Sequence, residues 1–133
     1  MKSVQWWRFV VCALVFCAAS PAAAQNGFPY ESELILDVAP MRGSKKIPNM
    51  DVARDGKIAL EMWCNRVEGQ IVVAANTITV VTGAPTARSC PPERARGDEE
   101  LLAALNDVTT WRREGSTVLL IGSKTLRFRL PTN

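Results

Sequence analysis

The stretch Lys57-Ile58-Ala59-Leu60-Glu61-Met62-Trp63-Cys64-Asn65 decides the fold that the sequence predicts. Its side chains alternate with the period of a β-strand, with Ile58, Leu60, Met62 and Cys64 on one face and Ala59, Glu61 and Trp63 on the other. Cys64 continues the apolar face, so we expect it to point inward. Its plausible partner downstream is Cys90, in a loop rich in proline and arginine. The stretch therefore predicts a β-layer fastened to that loop by a Cys64–Cys90 disulfide.

Residues 1–24 have the composition of a secretory signal peptide. A positively charged start is followed by an apolar run over residues 9–19 and by small residues before the cut, which we place between Ala24 and Gln25. The apolar run is shorter than the roughly 20 residues that cross a bilayer as a helix. An uncleaved N-terminal anchor is the alternative. We predict an exported protein, periplasmic or secreted, without a stable membrane span after cleavage.

Removal of this leader nearly balances the charge. The chain has 16 basic and 13 acidic residues, and the loss of Lys2 and Arg8 leaves 14 basic residues and a net charge of +1. This balance does not favour nucleic acid or an anionic membrane as a partner.

Cys12 and Cys17 are also removed with the leader, so two cysteines remain in a chain sent to an oxidising compartment. A disulfide closing a loop of about 26 residues contributes roughly 3.5 kcal/mol in the chain-entropy model. Two free buried thiols are the alternative.

The mature chain consists mainly of strands joined by short turns. Residues 25–32 are expected to form an unstructured entry segment. About eight strands are predicted after it, over residues 33–38, 50–54, 57–64, 70–74, 77–82, 109–113, 117–121 and 125–130. Asp55-Gly56 between the second and third of these is a strong hairpin signal. Short connections between antiparallel neighbours predict a meander and exclude a βαβ fold.

One helix interrupts the strands. A loop over residues 83–96 carries several prolines, and Gly97 then precedes the acids Asp98, Glu99 and Glu100. Acidic residues are favourable in the first turn of a helix, and an apolar stripe continues to about Asp107. The sequence therefore predicts a mostly β, α+β domain with one packed helix, preceded by a signal peptide.

Several of these pieces occur in a familiar order. Asp55-Gly56 precedes a strand, Cys64-Asn65 and Gly69 follow, Thr86 and Cys90 share a loop, and an acidic helix ends in Ala103-Ala104-Leu105 before Thr109-Thr110-Trp111. In this order the chain resembles the META domain of the HslJ-like heat-shock family over residues 31–130. Cys64, Asn65, Gly69, Thr86 and Cys90 are the motif residues. Family members usually have small residues, often glycine, before the Cys-Asn pair, where this chain has Met62 and Trp63.

The resemblance implies an open, half-barrel antiparallel sheet with a helix against it, similar in shape to a type III secretion pilotin. It also implies an envelope or secreted protein tied to heat shock, antibiotic tolerance or virulence. The family has no established activity, so no catalytic residue is carried over.

The chain contains no histidine, which excludes Ser-His-Asp and Cys-His catalysis and histidine-based zinc sites. Cys64 and Cys90 lack the Cys-x-x-Cys spacing of redox pairs, so we interpret them as structural. Glu61 and Glu68 are better explained as solvated side chains than as an acid–base pair. We therefore expect neither an enzyme nor a bound metal or cofactor.

A binding surface remains as the functional candidate. Trp63 and Trp111, together with Glu61, are possible contacts for an unknown protein or lipid partner on a concave sheet. Packing of both indoles between helix and sheet is the alternative. We predict a non-enzymatic, exported domain, taken as a monomer, that binds a partner or supports the envelope under stress. The second hypothesis is a small carrier of lipid or another hydrophobic ligand, because a half-barrel can hold an acyl chain.

Overall fold

The computed structural model describes residues 27–132, so the predicted signal peptide and its cleavage site between Ala24 and Gln25 lie outside the described residues. This part of the chain contains eight strands and one helix. The strands are β1 (Ser32–Leu36), β2 (Asn49–Val52), β3 (Lys57–Glu61), β4 (Arg66–Ala74), β5 (Thr77–Thr82), β6 (Thr110–Glu114), β7 (Thr117–Ile121) and β8 (Thr125–Arg129). The helix, α1, spans Pro92–Asn106. The described helix is too short and too polar to cross a membrane.

The sheet closes into a barrel with the strands in sequence order, so the predicted meander is confirmed and the predicted open half-barrel is wrong. Closure comes from β8, whose Phe128 and Arg129 pair with Leu36 and Ile35 of β1. This pairing joins the backbone groups at the edges of β1 and β8, which would otherwise be unpaired. An open sheet would have left those groups of β1 and β8 to water.

The narrowest join in the barrel lies between β5 and β6. One register pair, Thr77 with Thr110, connects the two strands. The Trp111 amide donates to the carbonyl of Asn76 at 2.9 Å beside it. At the other end of β5, the Thr82 amide donates to the Asn106 side chain at 3.2 Å. Helix α1 therefore completes the wall where the strands alone do not.

Apolar side chains fill the barrel interior. Alternation along each strand directs one face inward. The side chains of Leu34, Met50, Leu60, Met62, Leu105, Val118, Leu120 and Phe128 are each 0% exposed. An eight-stranded barrel is just wide enough for its side chains to fill it. The interior is thus a packed core, in contrast to the concave, accessible face that a half-barrel implies.

The strand predicted over residues 57–64 is shorter in the structure at its C-terminal end. Strand β3 ends at Glu61 rather than continuing to Cys64. Met62 is still fully buried, but its amide donates to the carbonyl of Asn65 at 2.9 Å and closes a tight turn. Cys64 therefore lies half-buried in this turn, outside the inward-facing side of the strand.

Helix α1 begins at Pro92, six residues before the predicted start at Asp98. Proline suits the first helical position because its missing N–H has no intrahelical partner there. Glu93 is the acid of the first turn, so the explanation of Asp98, Glu99 and Glu100 as charges of the helix N-terminus is wrong. Gly97, which marked the expected boundary, is a buried residue inside the helix.

The entry segment lacks helix and strand from Gly27 to Glu31 but packs against the barrel. The ring centroid of Phe28 lies 5.0 Å from that of Trp111, in an edge-to-face arrangement. Pro29 is buried beside it. The segment is therefore irregular in conformation yet anchored by aromatic contacts.

Candidate functional site

Cys64 and Cys90 form the predicted disulfide, with their Cα atoms 6.0 Å apart. This separation falls within the usual range for disulfides. The bond fastens the loop over residues 83–91 to the turn between β3 and β4. The disulfide prediction is confirmed, although one of its two cysteines lies in a turn rather than in a strand.

Asn65 organises the contacts around the disulfide. Its side-chain oxygen accepts hydrogen bonds from the Thr86 hydroxyl at 3.0 Å and from the Arg88 amide at 2.9 Å. Its side-chain nitrogen donates to the Cys90 sulfur at 3.3 Å. The Thr86 hydroxyl in turn accepts from the Arg66 amide at 3.0 Å. The motif residues Asn65, Thr86 and Cys90 thus meet at one place and fix the loop against β4.

Gly69, a further motif residue, lies in β4 away from this network. A Cβ atom at this position would stand 3.0 Å from Thr82 Cα and would collide with the Val81 carbonyl. The backbones of β4 and β5 approach too closely here for a side chain. Gly69 therefore serves the barrel wall and has no direct contact with the disulfide loop.

Asp98 is the residue that sequence reasoning missed. It is 4% exposed, and its two oxygens accept hydrogen bonds from the backbone amides of Cys64 at 3.2 Å and Asn65 at 2.7 Å. A buried carboxylate is costly unless it is hydrogen-bonded, and amide donors supply that compensation. A signal was available, because Asp98 shares the helical face of Leu101 and Leu105, which are buried.

Trp63 lies in the turn between β3 and β4 and packs close to α1. A Cβ atom on Gly97 would lie 3.0 Å from Cε3 of the indole and would meet the terminal methyl of Met41. The glycine therefore lets α1 approach both side chains. The indole is half-buried, and its Nε1 is a buried donor without a hydrogen-bond partner among the described residues.

A groove opens beside Trp63 at the end of the barrel where α1 packs. Its volume is about 280 Å³. It is lined by Leu36, Asp37, Val38, Met41, Trp63, Gly97, Glu100, Leu101, Ala104, Lys124, Thr125, Leu126 and Arg127. Leu36 and Leu101 are buried, whereas Val38 is 39% exposed. The groove thus combines an apolar floor with charged residues at its rim.

The other two members of the predicted partner surface lie in different environments. Trp111 is 8% exposed, and its Nε1 donates to the carbonyl of Ala75 at 2.9 Å. It is a core residue, so its role as an exposed aromatic anchor is ruled out. Glu61 is half-buried and forms ion pairs with Lys46 at 3.4 Å and Arg66 at 3.2 Å. Trp63 alone of the three lines the groove.

The turn between β7 and β8 forms one side of the groove and is attached to the end of α1. The Asp107 carboxylate accepts a hydrogen bond from the Ser123 amide at 2.7 Å. Hydrogen bonds from the side chain and the backbone of Ser123 lower the pKa of Asp107 below its usual value. Gly122 is required here, because an added Cβ atom would stand 2.5 Å from the Asp107 carbonyl oxygen.

Comparison with known proteins places this geometry in a family. The model of the family described as META domain matches residues 30–131. No curated protein matches the chain. Two solved NMR structures share the fold, and both are distant in sequence. One is 16% identical with a TM-score of 0.60, covering 75% of this chain and 89% of the other. The second, from Burkholderia xenovorans, is 14% identical with a TM-score of 0.65, covering 78% and 84%.

Proposed function

Since the chain belongs to the META domain family, we propose that it is an exported, non-enzymatic protein that binds a protein partner in the groove beside Trp63. The observation that carries the proposal is the half-buried indole of Trp63, which lines an apolar groove. Aromatic side chains in such pockets are typical energetic centres of interfaces.

Export is supported by two independent features. The composition of residues 1–24 is that of a cleavable signal peptide. The Cys64–Cys90 disulfide is compatible with an oxidising compartment such as the periplasm or the cell exterior. A role in the envelope under stress belongs to the same proposal and is motivated by the family resemblance.

The non-enzymatic part of the proposal is supported by the environment of the two carboxylates nearest the turn that carries the disulfide. Asp98 already accepts two backbone hydrogen bonds, and Glu61 is held in two ion pairs. A general acid or base needs a carboxylate free to reach a substrate proton. The sequence offers no histidine for that task.

A carrier of lipid or another hydrophobic ligand is the second candidate, favoured by the apolar floor of the groove. The packed barrel interior holds no acyl chain, so a ligand would have to occupy the groove itself. The groove volume of about 280 Å³ lies at the lower limit of usual small-molecule sites. A protein partner that inserts one side chain therefore fits the groove better than a lipid does.

Site-specific photocrosslinking in the native compartment tests the proposal. A benzophenone amino acid is placed at Val38, which lines the groove, and at Val72, which is 61% exposed on the outer face of β4 and serves as the control. We expect one discrete crosslinked protein from position 38, stronger under heat stress and lost in Trp63→Ala. Identical patterns from both positions, or none from position 38, would refute the proposal. Native mass spectra with a lipid lost in Trp63→Ala would favour the carrier.

A further inference from the structure

The loop over residues 83–91, between β5 and α1, leaves more consecutive residues exposed than any other segment within residues 27–132. It contains neither helix nor strand, and every residue from Gly83 to Ser89 is exposed. Exposed loops of small and polar residues are the preferred places of proteolytic cleavage, because a protease must draw several consecutive residues into its cleft. This loop therefore presents a length of chain that a protease can reach.

One bond in the loop has the chemistry of a defined cleavage site. Arg88 is exposed and is followed by the small, exposed Ser89. It is the only basic residue between Arg66 and Arg94. Its guanidinium group forms no ion pair among residues 27–132. Proteases that cleave after arginine bind this side chain through a carboxylate in their specificity pocket, and Arg88 is free to enter such a pocket.

The other two arginines that lie outside the described helix and strands offer shorter exposed segments. Arg42 lies in an exposed run of two residues and Arg54 in a run of three. The carbonyl that follows Arg42 also accepts a hydrogen bond from Arg94 at 2.9 Å. Arg54 lies in the turn between β2 and β3 and pairs with Glu31 at 2.9 Å. Arg88 is therefore the arginine most open to a protease.

Surface hydrogen bonds hold the bond between Arg88 and Ser89 in the closed loop. The Arg88 amide donates to the Asn65 side-chain oxygen at 2.9 Å, and the Thr86 hydroxyl donates to the same oxygen at 3.0 Å. Both bonds are exposed, so water replaces them at small cost when the loop opens locally. Cleavage thus requires opening of this loop and leaves the barrel folded.

The disulfide spans the same bond, since Cys64 precedes it and Cys90 follows it. Hydrolysis consumes one water molecule: the C–N bond breaks, the Arg88 carbonyl carbon becomes a carboxylate, and the nitrogen of Ser89 becomes an ammonium group. The first part of the cut chain keeps β1 to β5, and the second keeps α1 and β6 to β8. The Asp98 carboxylate of the second part still accepts hydrogen bonds from the first part. The fold therefore tolerates a cut at this bond.

We infer that Arg88–Ser89 is a processing site: a protease that cleaves after arginine converts the protein into two chains that the Cys64–Cys90 disulfide holds together. The bond does not line the groove beside Trp63, so this modification is separate from the proposed partner binding. The cut protein depends on its disulfide, because β5 and β6 share one register pair and β8 and β1 share two. A dithiol, which supplies the electrons and protons for both sulfurs and is itself oxidised to a disulfide, should separate the two chains.

Digestion of the purified protein with an arginine-specific endoproteinase, followed by intact-mass analysis, tests the site. We expect a first product that is heavier by one water molecule without reductant. Dithiothreitol should resolve it into one fragment that ends at Arg88 and another that begins at Ser89. Arg88→Gln should slow the first cut at least about tenfold, whereas the matched control Arg54→Gln should leave it unchanged. Thr86→Val, which removes the hydroxyl that contacts Asn65, should speed the cut by about fivefold.

Circular dichroism verifies that the three variants are folded before digestion. A first cut at Arg42 or Arg54, or equal rates for wild type and Arg88→Gln, would overturn the assignment of the site. Protein recovered from its native compartment should separate into two chains on reduction, and Arg88→Gln should not. Recovery of the wild type as a single chain would exclude processing. Dithiothreitol should lower the melting temperature of the cut protein more than that of the uncut protein, and equal shifts would contradict its dependence on the disulfide.

Discussion

Replacing Asp98 with alanine tests whether the buried carboxylate holds the turn that carries the disulfide. The change leaves the amides of Cys64 and Asn65 without their acceptors at 3.2 and 2.7 Å. A buried donor without a partner costs about 1–3 kcal/mol. Both donor residues are half-buried, so water compensates in part. We therefore expect a loss of about 2–3 kcal/mol in the free energy of unfolding.

That loss is large for a domain of this size, whose total stability is expected to be about 5–15 kcal/mol. Urea denaturation followed by circular dichroism measures the loss, and the melting temperature should fall by about 10 °C or more. The matched control is Glu99→Ala, an exposed neighbour in the same helix, which should change stability by less than about 0.5 kcal/mol.

Two results would contradict this account of Asp98. A loss below about 1 kcal/mol, or one equal to that of Glu99→Ala, would mean that the carboxylate does not hold the turn. Additive losses when Asp98→Ala is combined with removal of the disulfide would mean that the two features act independently. We expect non-additive losses instead, since both restrain the same turn.

Three further changes probe the surrounding structure. Gly69→Ala should destabilise the protein by about 2 kcal/mol in urea denaturation, because the added Cβ atom meets the Val81 carbonyl. Gly83→Ala is the control and should be nearly neutral, because its Cβ atom would lie 3.4 Å from its nearest neighbour, the Glu68 carbonyl oxygen. Replacing both Cys64 and Cys90 with serine should cost about 3.5 kcal/mol, and reductant should destabilise the wild type but not this variant. The pKa of the Asp107 carboxyl is lower in the folded protein than in the unfolded chain. The hydrogen bonds of Asp107 therefore contribute fully to stability above the pKa of the unfolded chain, and this contribution is lost as pH falls through the pKa of the folded protein. The difference in melting temperature between wild type and Asp107→Asn should therefore shrink between about pH 6 and about pH 2, and a constant difference would contradict this explanation.

Local patterns were sufficient for most of the wall of the barrel. Apolar alternation, β-branched residues and turn signals together predict eight strands close to the observed ones, and the turn at Asp55-Gly56 joins β2 to β3 as expected. Closure of the barrel could not be predicted from local patterns, because it depends on pairing between Leu36 and Phe128, which are far apart in the chain. Neither strand carries a local sign that its edge is covered.

The start of α1 at Pro92 and the role of Asp98 differ from the prediction for one physical reason. The sequence predicts that the helix begins after Gly97, and glycine usually weakens the interior of a helix. In the fold it is the position where α1 touches Trp63, and close packing outweighs helix propensity. The same prediction assigns Asp98 to the first helical turn, whereas its carboxylate accepts hydrogen bonds from the backbone of Cys64 and Asn65.

The pairing of β8 with β1 also decides where the chain enters and leaves the molecule. Strand β1 runs towards the groove, which Leu36 lines at its end, and β8 runs away from it after Thr125. The first residue of β1 and the last residue of β8 therefore lie on the side of the barrel away from the groove. A tether attached after β8 would hold the protein with its groove directed outward.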